Sequence, residues 1–181
     1  MSPQPTPSPS AQPTPRAFAS RLVIPDLGVD MPVLAQDFAL PDNPEGYPLC
    51  DVAQYLVHYA QPGEPGTVYL YGHARRGMLL PLLEASQVDD GRDLLGRSVF
   101  VYTSDGDRYE YRITIVRRHA VDFSLANDIA PGEQRLVIQT SEGPSGTVPK
   151  LQVAAEPVAV VSRPLEEALP SPSPRACPPA S

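Results

Sequence analysis

Residues 98–116, SVFVYTSDGDRYEYRITIV, carry the clearest structural signal in the chain. The two halves, Ser98–Thr103 and Arg108–Val116, alternate in polarity and are rich in valine, isoleucine and tyrosine, which suit a pleated surface. Between them, Asp105 and Gly106 supply the positive φ that tight hairpin turns require. The segment therefore predicts two antiparallel strands joined by a short turn.

Similar short runs recur outward from this hairpin along most of the chain. The further strand-like segments are Arg21–Val29, Met31–Leu34, Thr67–Tyr71, Arg135–Thr140 and Lys150–Val161. Helical signal is weak, and only Asp51–Tyr59 and Gly77–Ala85 predict short helices, the second interrupted by Pro81. Many short strands separated by Gly, Pro and Asp indicate a sandwich or a closed barrel. We therefore predict an all-β fold.

Proline divides the chain into a central body and two tails. Six of the 24 prolines lie in residues 1–16 and six more in residues 164–181. Pro/Ser-rich segments favour extended polyproline II over a packed core. We therefore expect a disordered linker at 1–16, one β-domain over 17–163 and a disordered tail at 164–181.

Charge and hydropathy exclude several classes of protein. The net charge of −7 argues against a nucleic-acid-binding protein, which would carry a basic surface. No apolar run approaches the roughly 18 residues that a membrane span needs. Met1 directly precedes the proline-rich segment, without the basic and apolar regions of a signal peptide. We therefore expect either a cytoplasmic protein or one whose membrane anchor lies upstream.

The two cysteines, Cys50 and Cys177, give no recognisable framework. Their spacing matches neither a disulfide pattern nor a metal site, and zinc, metalloprotease and P-loop motifs are absent. Cys50 lies in PLCDV without a basic neighbour, which predicts a buried apolar thiol. We expect neither a metal nor a cofactor.

Four segments, in order, resemble the sortases, the cell-surface cysteine transpeptidases of Gram-positive and related bacteria. They are Arg21–Val33, Pro62–Arg75, Leu79–Val101 and Leu136–Val153. The second is similar to the family's PGxxGxxxxxGH stretch, which ends in the catalytic histidine, here His73. The fourth is similar to its TLxTC strand, loop and arginine-bearing strand. The resemblance covers about residues 21–161 and implies a closed eight-stranded β-barrel with one or two short helices and the site at one end.

The sequence departs from the family pattern at two catalytic positions. Aligned on TLxTC, LVIQTS places Thr140 on the threonine and Ser141 where the nucleophilic cysteine belongs, and Lys150 takes the place of the arginine. A hydroxyl ionises far less readily than a thiol, whose pKa is about 8.5, so it needs a base in direct hydrogen-bond contact. Lysine keeps the charge but loses the forked donors of arginine. The resemblance implies catalytic positions His73, Ser141 and Lys150, with Thr140 in substrate binding.

Three functions remain open on these residues. The first is a sortase-family domain that binds an extended sorting-signal-type peptide, or a cell-wall or pilin protein, with cysteine transpeptidation lost or much reduced. The second is an active peptidase or transpeptidase in which Ser141 attacks and His73 or Lys150 is the base. The third is a non-catalytic β-barrel interaction module. The two substitutions favour the first over the second.

The same resemblance implies a localisation, and the remaining histidines and arginines are interpreted separately. It implies the extracellular face of the membrane or the cell wall, with membrane attachment only through an anchor outside this chain; the oligomeric state stays open. His58 and His119 lack motif context and are interpreted as structural or solvent-facing. Four arginines are interpreted as solvated faces of the barrel: Arg75, Arg76, Arg117 and Arg118.

Overall fold

The computed structural model describes residues 16–43, 48–143 and 149–178. Eight strands form a closed barrel in the order β1-β2-β3-β4-β7-β8-β6-β5, and β5 pairs with β1. The strands are β1 Ala19–Ile24, β2 Val29–Ala35, β3 Ala53–Tyr55, β4 Gly66–Tyr71, β5 Ser98–Thr103, β6 Asp107–Ala120, β7 Gln134–Ser141 and β8 Lys150–Ser162. The predicted closed, eight-stranded all-β barrel is confirmed. All of the expected linker except Arg16 lies outside the described residues.

The barrel is mixed, and its two parallel pairs set where strand ends meet. Strands β2 and β3 are parallel, as are β4 and β7, whereas the other neighbours are antiparallel. In the second parallel pair Tyr71 lies opposite Gln139. The carboxyl ends of β4 and β7 therefore reach the same end of the barrel.

The hairpin predicted over residues 98–116 is present as β5 and β6. Residues Ser98 and Arg112 are opposite one another, and the pairing runs to Tyr102 and Arg108. Gly106 in the connecting turn has φ +97°, the backbone conformation for which glycine was expected there. Strand β6 continues beyond the hairpin and pairs with β8 along most of its length.

Helices are short and lie in the connections between strands or after the last strand. They are α1 Leu80–Gln87, α2 Ser124–Asn127 and α3 Leu165–Ala168. The first corresponds to the helix predicted at Gly77–Ala85. The helix predicted at Asp51–Tyr59 is wrong, because Ala53–Tyr55 is strand β3. These residues bridge β2 and β4, and their backbone groups are satisfied by pairing with both neighbours.

The alternation of each strand divides its residues between the barrel interior and an outer face. In β4, Val68 and Leu70 belong to the main core, as Leu136 and Ile138 do in β7. Residues of the opposite parity form a smaller cluster outside the wall, where Tyr69, Val137 and Ala154 pack with Leu125 and Ala126 of α2. The sheet β4-β7-β8 thus has a buried inner face and a partly covered outer face.

The C-terminal segment differs from the expectation of disorder, because residues 164–178 lie against the barrel. Ala168 is fully buried, and its carbonyl accepts a hydrogen bond from Ser20 Oγ at 2.6 Å. Arg21 Nη1 donates to the Glu167 carbonyl at 2.6 Å. These contacts satisfy backbone groups that a free tail would expose to water, and they hold the segment on β1.

Cys50 and Cys177 form a disulfide bond, with their Cα atoms 5.1 Å apart. The prediction of an unpaired, buried thiol at Cys50 is therefore wrong. The two residues are 127 positions apart in sequence, and only the return of the C-terminal segment across the barrel end brings them together. The spacing of the cysteines carries no sign of this.

Candidate functional site

Three strand ends converge where β4, β7 and β8 meet. In the antiparallel pair β7–β8, Ser141 at the end of one strand is opposite Lys150 at the start of the other. Beyond β4, the Gly72 N–H donates to the Gln139 carbonyl at 3.1 Å, so the pairing continues up to the residue before His73. The alternation of side chains then directs His73, Ser141 and Lys150 to the outer face of the same barrel end.

Ser141 and Lys150 are in direct contact. The Lys150 ammonium donates from Nζ to Ser141 Oγ at 3.0 Å. Both side chains are half-buried, and burial lowers the pKa of Lys150 below the usual lysine range. The strand register imposes this contact, since directly opposed residues on one face of an antiparallel pair have neighbouring side chains.

His73 is held by a different part of the chain. Its Nε2 lies 2.8 Å from the Pro48 carbonyl oxygen. A carbonyl can only accept, so Nε2 carries the hydrogen and Nδ1 carries the lone pair. Burial lowers the pKa of His73, the Pro48 carbonyl opposes this effect, and the positive charges of Arg75 and Lys150 reinforce it. The imidazole is therefore within electrostatic reach of Lys150, but among the described residues no hydrogen bond joins it to Ser141.

Thr140 links the strand end that carries Ser141 to the segment that carries His73, from inside the protein. Its side chain is buried, and Oγ1 donates to the Gly72 carbonyl at 2.8 Å. This bond ties the end of β7 to the residue before His73. In this structure the hydroxyl thus faces the protein, and Thr140 positions its neighbours.

A buried polar network lies next to the site on the outer face. Tyr69 Oη donates to Gln139 Oε1 at 2.6 Å, and Gln152 Nε2 donates to the same oxygen at 3.1 Å. Gln152 also donates to the Asp122 carbonyl at 2.8 Å. The network braces β4, β7 and β8 together. This network was not predicted from the sequence. Its signal in the sequence is one glutamine within each of two predicted strands, Gln139 and Gln152.

The residue after the serine is anchored by charge. Glu142 is nearly buried, and its carboxylate lies 3.4 Å from Arg118 Nε and 2.8 Å from His119 Nδ1. The backbone N–H of His119 also donates to Glu142 at 2.9 Å. Arg118 further contacts Asp90 at 3.3 Å. The sequence predicts a solvated Arg118 and a structural or solvent-facing His119; in the structure both contact Glu142 and hold the start of the β7–β8 connection.

Two features are absent from the part of the chain that the structure describes: a metal-ligand cluster and a membrane-spanning helix. There, no group of three or more His, Cys, Asp or Glu side chains is arranged to hold a metal ion. Among the same residues, no helix has the length and apolar character needed to cross a bilayer. The side chains that converge at the site carry a hydroxyl, an ammonium and an imidazole.

Comparison with protein families matches the chain to the sortase domain over residues 22–158. This range contains β2 to β7, most of β8 and the second half of β1, together with His73, Ser141 and Lys150. The comparison with curated proteins gives no match.

Solved structures share the fold at low sequence identity. Sortase A of Listeria monocytogenes superposes with a TM-score of 0.60 and 19% identity, covering 85% of this chain and 98% of that one. The SrtA sortase of Actinomyces oris gives a TM-score of 0.59 and 18% identity, over 91% and 93% of the two chains. A pilus-related sortase C of Group B Streptococcus gives 0.60 and 14%, over 78% and 68%.

Proposed function

The chain belongs to the sortase family, and from this premise we propose that it binds an extended, sorting-signal-type peptide at the Ser141 end of the barrel, with cysteine transpeptidation lost or much reduced. Family members typically work at the cell surface, and we propose the same location here. The Cys50–Cys177 disulfide supports it, because such bonds persist in oxidising compartments.

One observation carries the proposal: among the described residues, the group that contacts the hydroxyl of Ser141 is a donor. Its polar contact at 3.0 Å is with the Lys150 ammonium, which donates and, while charged, cannot accept a proton. The imidazole that serves a thiolate in this family is engaged by the Pro48 carbonyl. Because a hydroxyl needs a base in hydrogen-bond contact to attack, Ser141 is not activated in this arrangement.

The same groups are suited to holding a peptide. Extended peptides present backbone carbonyls at regular spacing, and a half-buried ammonium is a strong donor to such an oxygen. Lys150 and Ser141 supply donors at the edge of the outer face, and Tyr71, opposite Gln139 on the neighbouring strand, adds a partly buried ring. Burial raises the pKa of Tyr71 to about 12, so its hydroxyl stays neutral at physiological pH.

A binding titration with matched variants tests this proposal. Fluorescence anisotropy of labelled LPxTG-like peptides should show saturable binding to the original chain and none to scrambled peptides. Lys150→Met should weaken the affinity about tenfold or more, because a hydrogen bond to a charged group contributes about 1.5–3 kcal/mol. Lys150→Arg, which keeps the charge, should retain binding.

Arg163→Met provides the control for removing one cation. Arg163 is exposed and directly follows β8, whose 13 residues begin at Lys150. At about 3.3 Å per residue the two positions are roughly 40 Å apart. This variant should bind like the original chain. Equal loss in Lys150→Met and Arg163→Met would show that the effect is one of net charge, and absence of any saturable binding would reject the proposal.

A second function, acyl transfer by a serine–lysine pair, is favoured by the 3.0 Å contact together with the lowered pKa of Lys150. In its neutral form Lys150 would accept the Ser141 proton while Oγ attacks a peptide carbonyl. The peptide C–N bond would break, the leaving amine would take the proton, and an ester on Ser141 would remain for water or an amine. Cleavage should then increase with pH as Lys150 deprotonates, and Ser141→Ala should abolish it.

A further inference from the structure

The C-terminal residues 169–178, which we call the latch, cross the barrel end that carries the candidate site. Cys177 in the latch is disulfide-bonded to Cys50. The Cys50 N–H donates to the Arg175 carbonyl at 2.9 Å, and the Arg175 N–H returns a bond to the Cys50 carbonyl at 3.4 Å. The Arg175 guanidinium forms an ion pair with the carboxylate of Asp51. The latch is thus fixed by a covalent bond, a two-way backbone bridge and a charge pair.

These attachments lie directly beside His73. Its Nε2 donates to the Pro48 carbonyl at 2.8 Å, and Cys177 Sγ lies 3.6 Å from the same oxygen. Two residues after His73, Arg75 Nη2 donates to the Pro178 carbonyl at 2.7 Å. Pro48, which accepts the hydrogen bond of His73, and Arg75, which follows His73, therefore both contact residues of the latch.

We propose that the latch is an autoinhibitory strap, which holds the Pro48 carbonyl on the His73 imidazole and covers that side of the site while the Cys50–Cys177 disulfide is closed. Opening the disulfide releases the strap and exposes the imidazole. The proposal rests on the proposed function only in assigning the barrel end at His73 to peptide binding.

The opening step is a thiol–disulfide exchange with a dithiol. Cys50 is 1% exposed whereas Cys177 is half-buried, so the reagent's thiolate reaches Cys177 Sγ first. The S–S bond breaks, Cys50 leaves as a thiolate and takes a proton, and a mixed disulfide forms on Cys177. The second thiol of the reagent then displaces the Cys177 thiol, and the reagent is oxidised to its own disulfide.

The loop around Pro48 also has a support that does not depend on the latch. The Leu49 N–H donates to Gln54 Oε1 at 3.0 Å, and Leu49 is buried. Gln54 Nε2 in turn donates to the Ala35 carbonyl at 3.2 Å. If this support alone kept Pro48 on His73, opening the disulfide would leave the imidazole covered. The two supports therefore give opposite predictions for the reactivity of His73.

Carbethoxylation of the histidines in the full chain measures that reactivity without any peptide ligand. The modification rates of His73, His58 and His119 are followed by peptide mapping in the oxidised chain, after treatment with dithiothreitol, and in Cys177→Ser. We expect the His73 rate to increase on the order of tenfold in the reduced chain and in Cys177→Ser, because a segment held by few contacts opens locally. His58 and His119 should change little, and dithiothreitol should add nothing in Cys177→Ser.

A chain ending at Ala168, which lacks the latch, is the second variant and should match Cys177→Ser; far-ultraviolet circular dichroism verifies that both remain folded. An unchanged His73 rate in the reduced chain and in these variants would overturn the proposal in favour of the Gln54 support. An equal increase at all three histidines would overturn it too, since that pattern reports global unfolding. Because no peptide is present, these outcomes are independent of the success of the peptide titration.

Discussion

The two sides of the candidate site are held by different kinds of interaction. Ser141 and Lys150 face each other across the regular ladder of β7 and β8, where backbone hydrogen bonds fix the register. His73 lies beyond the end of β4, and its imidazole is placed by the Pro48 carbonyl in a loop that the disulfide connects to the distant C-terminus. Local strand pairing positions the first side, and a long-range tether positions the second.

This difference predicts which changes affect both sides and which affect one. Damage to the core beneath β7 and β8 weakens the whole barrel, because every strand is paired on both edges. Damage to the tether leaves the ladder intact. Variants that separate the two effects test this difference.

The largest effect is expected from Leu151→Ala in β8. Leu151 is fully buried in the main core, and truncating such a side chain typically costs about 2–5 kcal/mol of unfolding free energy. Val158→Ala, on the same strand but 54% exposed, is the control and should change stability by less than about 0.5 kcal/mol. Urea titration of both variants checks this. Similar losses in the two would show that β8 is not embedded in the core as described.

Cys177→Ser should have the next largest effect, a loss of about 2–4 kcal/mol, because the disulfide closes a loop of 127 residues that is otherwise unconstrained when unfolded. Chemical denaturation of the oxidised chain, the reduced chain and the variant measures the loss. The reduced original chain should match the variant, and the Ser141–Lys150 contact should survive in both. A loss confined to the variant would indicate damage from the serine rather than from the missing tether.

A smaller effect is expected at the side-chain hydrogen bond that joins the end of β7 to the residue before His73. Thr140→Val removes the hydroxyl that donates to the Gly72 carbonyl and leaves that oxygen without this partner, which should cost about 1 kcal/mol. Thr140→Ser keeps the hydroxyl and should retain most of the stability. Comparable losses in both variants would assign the effect to the methyl group of threonine instead of the bond.

The smallest effect concerns the pH dependence of stability. Because burial lowers the pKa of His73, the unfolded chain takes up this proton at a higher pH than the folded chain. Stability from this group is therefore fully present above about pH 6.5, the unperturbed value, and is lost as pH falls toward the lowered pKa. The folded-state NMR titration of His73 should have its midpoint below 6.5, and His73→Gln should flatten the slope of stability in that window. A midpoint above 6.5 would contradict the burial described.

The ladder side was predictable from sequence, whereas the tether side was not. Period-two patterns identify β7 and β8, and the sortase resemblance places Ser141 and Lys150 at their adjoining ends, where the structure has them in contact. The latch joins residues of a proline-rich tail to a loop far away in sequence, and composition alone predicts disorder for such a tail. The tail is ordered by the disulfide and by hydrogen bonds such as that from Ser20 to the Ala168 carbonyl.

Strand β3 shows a second limit of local patterns. Its three residues, AQY, are too short to display a period, and Gln54 is a polar residue that the structure buries at 1% exposure. The burial is tolerated because its amide groups bond to the Leu49 N–H and the Ala35 carbonyl. These three residues form a strand because they pair with both β2 and β4 and so close the barrel between them.

Our claim is that the chain binds a peptide without cysteine-type transfer. Intact-protein mass spectrometry after incubation with an LPxTG-like peptide tests this most directly. The original chain should bind the peptide yet show no covalent acyl adduct. Ser141→Cys should show the adduct, because His73 and Lys150 can stabilise a thiolate, and adding Lys150→Arg should increase it by restoring forked donors for the carbonyl. An adduct on Ser141 of the original chain would contradict the claim and establish serine chemistry.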